Sequence, residues 1–320
     1  MTIPFQRGSR YQRKKETSTD KFASRGGIVK TFGLFLSSLL MLACAHAQTS
    51  GILRGNDLQP VNLAEAVRPV TPGSIVVIGE NHGFKEHQNQ QVSIMKALRA
   101  QGLKVSVGME FFTYTDQPAV DSYRQGLLSE ADFLSQIKWG NPSYDYYREQ
   151  SVFPNLSEGA KTIALNAPRS LTGKVSKGGL AALTPEDLKL MPPQFSLGND
   201  GYKRRFLSMM PHLPNPEAGE RYFTSQSIWD DTMAWQAVEF IRSHPDQVLV
   251  IVVGDFHVQY GGGLPDRLRV RGAEFPVLTF SQVNTSGLTE DEIATEINPG
   301  TQDGPRADYL WLAPVQSPAL

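Results

Sequence analysis

Two tetrapeptides of one pattern, Gly79-Glu80-Asn81-His82 and Gly254-Asp255-Phe256-His257, hold two of the six histidines in this 320-residue chain. Each follows a β-branched run, Ser74-Ile75-Val76-Val77-Ile78 in the first case and Val248-Leu249-Val250-Ile251-Val252-Val253 in the second. In an open parallel sheet, ligands bind outside the carboxyl ends of the strands, so residues at two such ends can converge. Glycine at the head of each motif would let the backbone turn sharply without a Cβ cost. Glu110 closes a third run, Lys104-Val105-Ser106-Val107-Gly108-Met109, and adds a carboxylate. The set His82, Glu110 and His257 suits a divalent metal, because imidazole and carboxylate both ligate Zn, Mn, Fe or Co. Such a metal would activate water, with Glu80 as the candidate general base. His87, five residues beyond His82, reads either as a supporting or substrate residue or as an exposed first-turn histidine. His212, between Pro211 and Leu213, and His244, before Pro245, read as surface residues.

The elements that must position these residues follow from hydrophobic pattern. Strands are expected over 74–79, 104–110, 161–166, 248–254 and 275–280, with Pro276 marking the last as an edge candidate. A helix is expected from Glu86 to Ala100, with Val92, Met95 and Leu98 on one face and Gly102 as its stop. Strands alternating with helices imply βαβ units. The expected architecture is α/β: a parallel β-sheet flanked by helices, with a helical cap or subdomain. Residues 51–320 form that domain, with helical insertions near 116–150 and 167–247 that pack together as the cap. The end from Asn298 to Leu320 reads as irregular.

Composition narrows the function classes. With 40% hydrophobic residues the chain can build a core, and its single cysteine excludes an internal disulfide and Cys-rich metal modules. Of the 31 basic and 32 acidic residues, eight basic and two acidic fall within 1–43, so the remainder holds 23 against 30 and carries −7. That balance excludes counterion-release binding to nucleic acid as a main role. The basic head runs into the uncharged stretch Phe32–Ala43, which is too short to span a bilayer as a helix. A charged region, a short apolar run and small residues are the layout of an export signal, expected over residues 1–47. Two processing sites compete there. Ala45-His46-Ala47 suits ordinary cleavage, and Leu40-Met41-Leu42-Ala43-Cys44 resembles a lipobox that would lipidate Cys44 and tether the chain without a spanning segment.

One family joins these motifs in order. Gly79-Glu80-Asn81-His82 with His87, Val107-Gly108-Met109-Glu110-Phe111-Phe112 with Gln117-Pro118, Gln226 with Trp229-Asp230-Asp231-Thr232-Met233-Ala234, and Gly254-Asp255-Phe256-His257-Val258 with Tyr260-Gly261 and Gly263-Leu264-Pro265 resemble the ChaN-like haem-binding uptake family of the Tiki superfamily. The resemblance covers most of residues 70–270. It implies an exported bacterial haem-binding protein of haem or iron acquisition, in the periplasm or lipid-anchored to the outer membrane. Haem would be its ligand, with an outer-membrane haem receptor and a second copy of the chain as partners. It also implies His82, Glu110 and His257 as metal or haem-site residues, with Glu80 and Asp230 as weaker ones. The Tiki relatives are proteases that use the same histidines with a metal, and erythromycin-esterase-like hydrolases resemble them more distantly, so a metal-dependent hydrolase is the alternative. Where family members often carry an acidic residue and a histidine pair, this chain has Gly83 and His87-Gln88.

Haem requires an axial ligand and an apolar face. The cluster Tyr144-Asp145-Tyr146-Tyr147 after Trp139 is the densest run of tyrosines, and the family suggests tyrosine ligation. Tyr144, Tyr146, Tyr147 and His87 are therefore candidate haem contacts, and core or interface aromatics are the competing reading of the three rings.

Overall fold

The computed structural model describes residues 50–314; the expected export signal, Cys44 and both processing sites lie outside them. Eight strands form one sheet: β1 (Gly51–Arg54), β2 (Pro60–Val61), β3 (Ile75–Glu80), β4 (Lys104–Thr113), β5 (Thr162–Asn166), β6 (Gln247–Gly254), β7 (Val277–Asn284) and β8 (Tyr309–Ala313). Their order is β2-β1-β8-β7-β3-β6-β4-β5. Pairing is parallel from β8 to β5, while β1 runs antiparallel to β8 and to β2.

The β-branched runs form the centre because both of their faces are covered. Every residue of β3 and β6 is buried. With a side-chain period of two, Val76, Ile78, Val250 and Val252 face one core, where Ile94, Met95 and Leu98 of the helix Lys85–Ala100 pack. Ile75, Val77, Leu249, Ile251 and Val253 face the other, against Met233, Ala234, Ala237, Val238 and Ile241 of the helix Pro216–Ser243. Each such buried side chain stabilises by about 1.5–3 kcal/mol. The 216–243 helix starts where Asn215 accepts a hydrogen bond from the Ala218 N–H at 2.8 Å and Pro216 opens the first turn.

Two expectations are corrected. Pro276 does not mark an edge: β7 lies between β8 and β3. The proline stands one residue before the strand and contributes only its carbonyl, which accepts from the Ile75 N–H, so its missing donor costs no ladder bond. The C-terminal segment is not irregular throughout, since Tyr309–Ala313 forms β8 and continues the sheet to β1. The two helical excursions pack on different cores. Phe133, Tyr144 and Tyr147 of the first join the core under β4, whereas Leu171 and Val175 of the second pack on Ile228, and the 216–243 helix covers a face of the sheet.

Candidate functional site

The chain leaves β3 toward β4 and β5, then returns to place β6 between β3 and β4 before moving to the opposite flank with β7 and β8. This reversal opens a crevice at the carboxyl ends of the three central strands, and each of them delivers one candidate residue. His82 lies just past β3, Glu110 lies within β4, and His257 closes the short turn Asp255–His257 after β6.

The two motif glycines have a reason other than a sharp turn, for neither lies in the left-handed region. Each gives room to the opposite motif. A Cβ on Gly79 would stand 2.5 Å from Asp255 Oδ1 and 2.8 Å from Asp255 Cα, and one on Gly254 would stand 3.0 Å from the His82 ring. Glu80 pairs in register with Gly254, so the His82 ring lies across the bare backbone of β6.

Both imidazoles are anchored through Nδ1 by a carboxylate. His82 Nδ1 is 2.9 Å from Glu80 Oε1, and His257 Nδ1 is 2.6 Å from Asp230 Oδ1. Each carboxylate also accepts a tyrosine hydroxyl, from Tyr147 at 2.6 Å on Glu80 and from Tyr202 at 2.9 Å on Asp230. Glu80 is saturated by two further donors, Gln88 Nε2 at 2.5 Å and Gln91 Nε2 at 2.7 Å. Glu110 stands between the pairs: its Oε2 accepts from the Gly254 N–H at 2.6 Å, and its Oε1 lies 3.6 Å from His257 Nε2. Anchoring through Nδ1 fixes the orientation of each ring and leaves His257 Nε2 facing Glu110.

The charges differ in depth. The side chain of His82 is 34% exposed and that of His257 8%. Burial works against the charged form of both. For His257 the negative charges of Asp230 and Glu110 win and raise the pKa to about 9. For His82 the hydrogen bond to Glu80 and the charges of Glu110 and Glu80 outweigh burial, and its pKa is also raised. Asp230 is pushed upward by burial, and His257 pulls it back.

The remaining candidates are placed as follows. Tyr144 is buried with its hydroxyl on Ser151 Oγ, and Tyr147 is buried against Phe111, with ring centroids 4.0 Å apart. His87 is fully buried, and its Nδ1 accepts from the Asn81 N–H at 3.0 Å. Burial lowers its pKa, which keeps it neutral. Tyr146 is half-buried, and its hydroxyl has no hydrogen-bond partner among the described residues. Gly83 has φ +77°, a conformation that side chains with a Cβ rarely adopt, and its N–H donates to the Tyr147 hydroxyl. Gln88, the other departure, binds Glu80. Among the described residues no group of three or more His, Cys, Asp or Glu is arranged to hold a metal ion. The divalent-metal expectation for His82, Glu110 and His257 is therefore unsupported, although the three converge on one crevice.

Beside the crevice lies a cleft of about 550 Å³, lined by Phe111, Ile137 and Trp139 and by Asp116, Lys138 and Arg169. Phe111 joins the two, with its ring 5.0 Å from that of His82 and 6.0 Å from that of Trp139.

Tyr202 and Arg306 escaped the sequence reading. Tyr202, on the helix Asp200–Ser208, is reached only through folding. Gln226 donates to its hydroxyl at 2.8 Å, and Gln226 and Asp230 are four residues apart on one helix, a spacing that puts them on one face. Arg306 is buried and donates to Asp255 at 2.5 Å and to Ser281 at 2.8 Å.

Residues 66–268 match the family model described as haem-binding uptake, Tiki superfamily, ChaN. No curated protein matches the chain. Among solved structures, one of cofacial haem binding to ChaN of Campylobacter jejuni is 16% identical with a TM-score of 0.57, covering 83% of this chain and 96% of that one. An erythromycin esterase EreC mutant in its open conformation is 13% identical with a TM-score of 0.41, over 72% of this chain and 76% of that one. The type III effector HopBA1 is 12% identical with a TM-score of 0.39, over 76% and 90%. The first likeness is one of fold.

Proposed function

The chain belongs to the haem-binding uptake family, ChaN, of the Tiki superfamily, and on that premise we propose that it binds haem at the crevice and its adjoining cleft. The observation that carries this reading is the family match over residues 66–268, which encloses Glu80, His82, Glu110, Asp230 and His257.

The residues present fit such a ligand. Haem supplies an iron that takes axial donors, set in a flat apolar ring that bears carboxylates. His82 keeps its anchor to Glu80, is a third exposed, and has no hydrogen bond on Nε2 among the described residues; Tyr146 has a hydroxyl free of partners among the described residues. Groups left open in this way can take a ligand without breaking a protein hydrogen bond, whereas Tyr144, Tyr147 and His87 are buried and hydrogen-bonded. Phe111 and Trp139 offer aromatic surface, their rings inclined at 51°. Haemin titrated into the full-length protein should give a saturable, shifted Soret band. An unsaturated increase matching free haemin overturns the reading.

A second reading, hydrolysis by acid–base catalysis, is favoured by the two Nδ1-anchored imidazoles on either side of Glu110. His82 Nε2 would take a proton from water and charged His257 would stabilise developing negative charge. Turnover of ester or peptide substrates that is lost in both His82→Ala and His257→Ala, without any haemin response, would favour it.

We propose further that the protein is exported and acts in bacterial haem or iron acquisition. The basic head, the apolar run Phe32–Ala43 and Cys44 support this reading, and an outer-membrane haem receptor and a second copy of the chain are its proposed partners. Palmitate labelling that disappears in Cys44→Ala is expected for the lipid-anchored form, and cleavage after Ala47 for the released form. Accumulation in the cytoplasm with residues 1–43 intact overturns export.

A further inference from the structure

We propose that Lys138 and Arg169 form a carboxylate-recognising subsite in the cleft beside the crevice, selecting flat apolar ligands that bear carboxylates on one edge; this rests on the reading that the crevice binds a porphyrin.

The cleft has two chemistries on its walls. Phe111, Ile137 and Trp139 line it with apolar and aromatic surface, while Lys138 and Arg169 bring positive charge. Its volume of about 550 Å³ falls within the range of small-molecule sites. Trp139 is oriented by its indole N–H, which donates to the Pro142 carbonyl at 2.9 Å, and Phe111 continues the aromatic wall to His82.

Both cations are exposed, and among the described residues neither is in an ion pair. Where Arg148 is taken up by Glu130 and Arg271 by Asp231, the charges of Lys138 and Arg169 are left open on one cleft. Lys138 holds φ at +53°. A lysine in the left-handed region costs backbone free energy and persists only where the surroundings impose it. Here the turn Ile137–Trp139 after the helix Glu130–Gln136 imposes it, with the Trp139 N–H donating to the Leu134 carbonyl and the Lys138 N–H to that of Ser135. The result sets a cation next to a tryptophan on the same wall. Asp116, the cleft's one carboxylate, is pushed toward its neutral form by burial, against a hydrogen bond to Thr113 and the charge of Lys138. An arginine fork matches a carboxylate in two parallel hydrogen bonds, and a lysine adds a point charge. A ligand lying on the aromatic wall with anionic groups at its rim satisfies both.

The test is a titration of the full-length protein with haemin and with haemin dimethyl ester, which lacks the carboxylate charges, read by the Soret band and by quenching of tryptophan emission. Wild type should bind haemin roughly tenfold more tightly than the ester, and added salt should narrow the gap. The double variant Lys138→Ala/Arg169→Ala should bind both ligands as wild type binds the ester, with an unchanged thermal melt because both side chains are exposed. Equal binding of the two ligands by wild type, or a preference that survives in the double variant, overturns the subsite and leaves porphyrin binding standing. Absence of saturable binding of either ligand overturns both.

Discussion

The crevice contains two histidines delivered by the same tetrapeptide pattern, yet the chain treats them in opposite ways. His82 takes its anchor from Glu80 inside its own motif and stands a third exposed at the mouth. His257 ignores Asp255, its motif counterpart of Glu80, and takes Asp230 from a helix 27 positions earlier. Asp255 instead turns away to Ser281, Gln259 and Arg306. The contrast teaches that a repeated motif fixes where an imidazole emerges but not what it does. An anchored and open imidazole is available to a ligand, whereas an anchored, buried and charged one sets the field of the site.

Removing the buried anchor should have the largest effect. Asp230→Ala leaves a charged His257 without its partner in the interior, and a loss of about 3–5 kcal/mol is expected by urea unfolding. A loss under about 1 kcal/mol would show that His257 is neither buried nor charged as described. The next effect is titration. Because the folded pKa of His257 is raised to about 9, its contribution is complete below the unfolded value near 6.5, fades as pH climbs, and is gone above about 9. His82, also raised, acts in the same direction. His87, lowered by burial, works oppositely and only as pH falls below its unfolded value. Stability measured by thermal melts should therefore peak near neutrality and fall by on the order of 3 kcal/mol toward pH 9 and beyond. A flat profile from pH 7 to 10 would contradict the charged state of His257.

The glycines sharpen the same comparison. Gly79→Ala meets a backbone atom of Asp255 and should cost about 1–3 kcal/mol. Gly254→Ala meets side chains alone, the one-third-exposed His82 ring at 3.0 Å and Glu110 Oε2 at 3.6 Å, so it should cost less and register mainly as an altered haemin spectrum. Equal stability losses would mean that His82 is as fixed as Asp255. The smallest effect is on His82 itself: His82→Ala takes one donor from Glu80, which keeps Tyr147, Gln88 and Gln91, and should cost about 1 kcal/mol.

Much of this was legible in the sequence. The strand patterns named five of the six parallel strands, and three of them carried, in or just past their carboxyl-terminal halves, the residues that now share a crevice. The order β3-β6-β4 was not legible, because strand order depends on crossovers and not on local pattern. The anchors also divided along that line. Glu80 is two residues from His82 and could be named, whereas Tyr202 and Tyr147 reach their carboxylates only through folding, and no local period links them to the histidines. β8 was missed because five residues, Tyr309–Ala313, sit among Pro, Gly and Asp, and a run so short is read as a strand only when a neighbour such as β7 is known. The tyrosine cluster invited a ligand reading that exposure divides: Tyr144 and Tyr147 are core hydrogen-bonders, and Tyr146 is the partly open one.

The most direct measurement is the Soret and iron spectrum of the haemin complex in wild type and in His82→Ala, beside thermal melts of both. The account predicts that His82→Ala folds as wild type does but binds haemin more weakly and with a changed spectrum. A complex indistinguishable from wild type in affinity and spectrum would contradict the claim that the open imidazole is the one that meets the ligand.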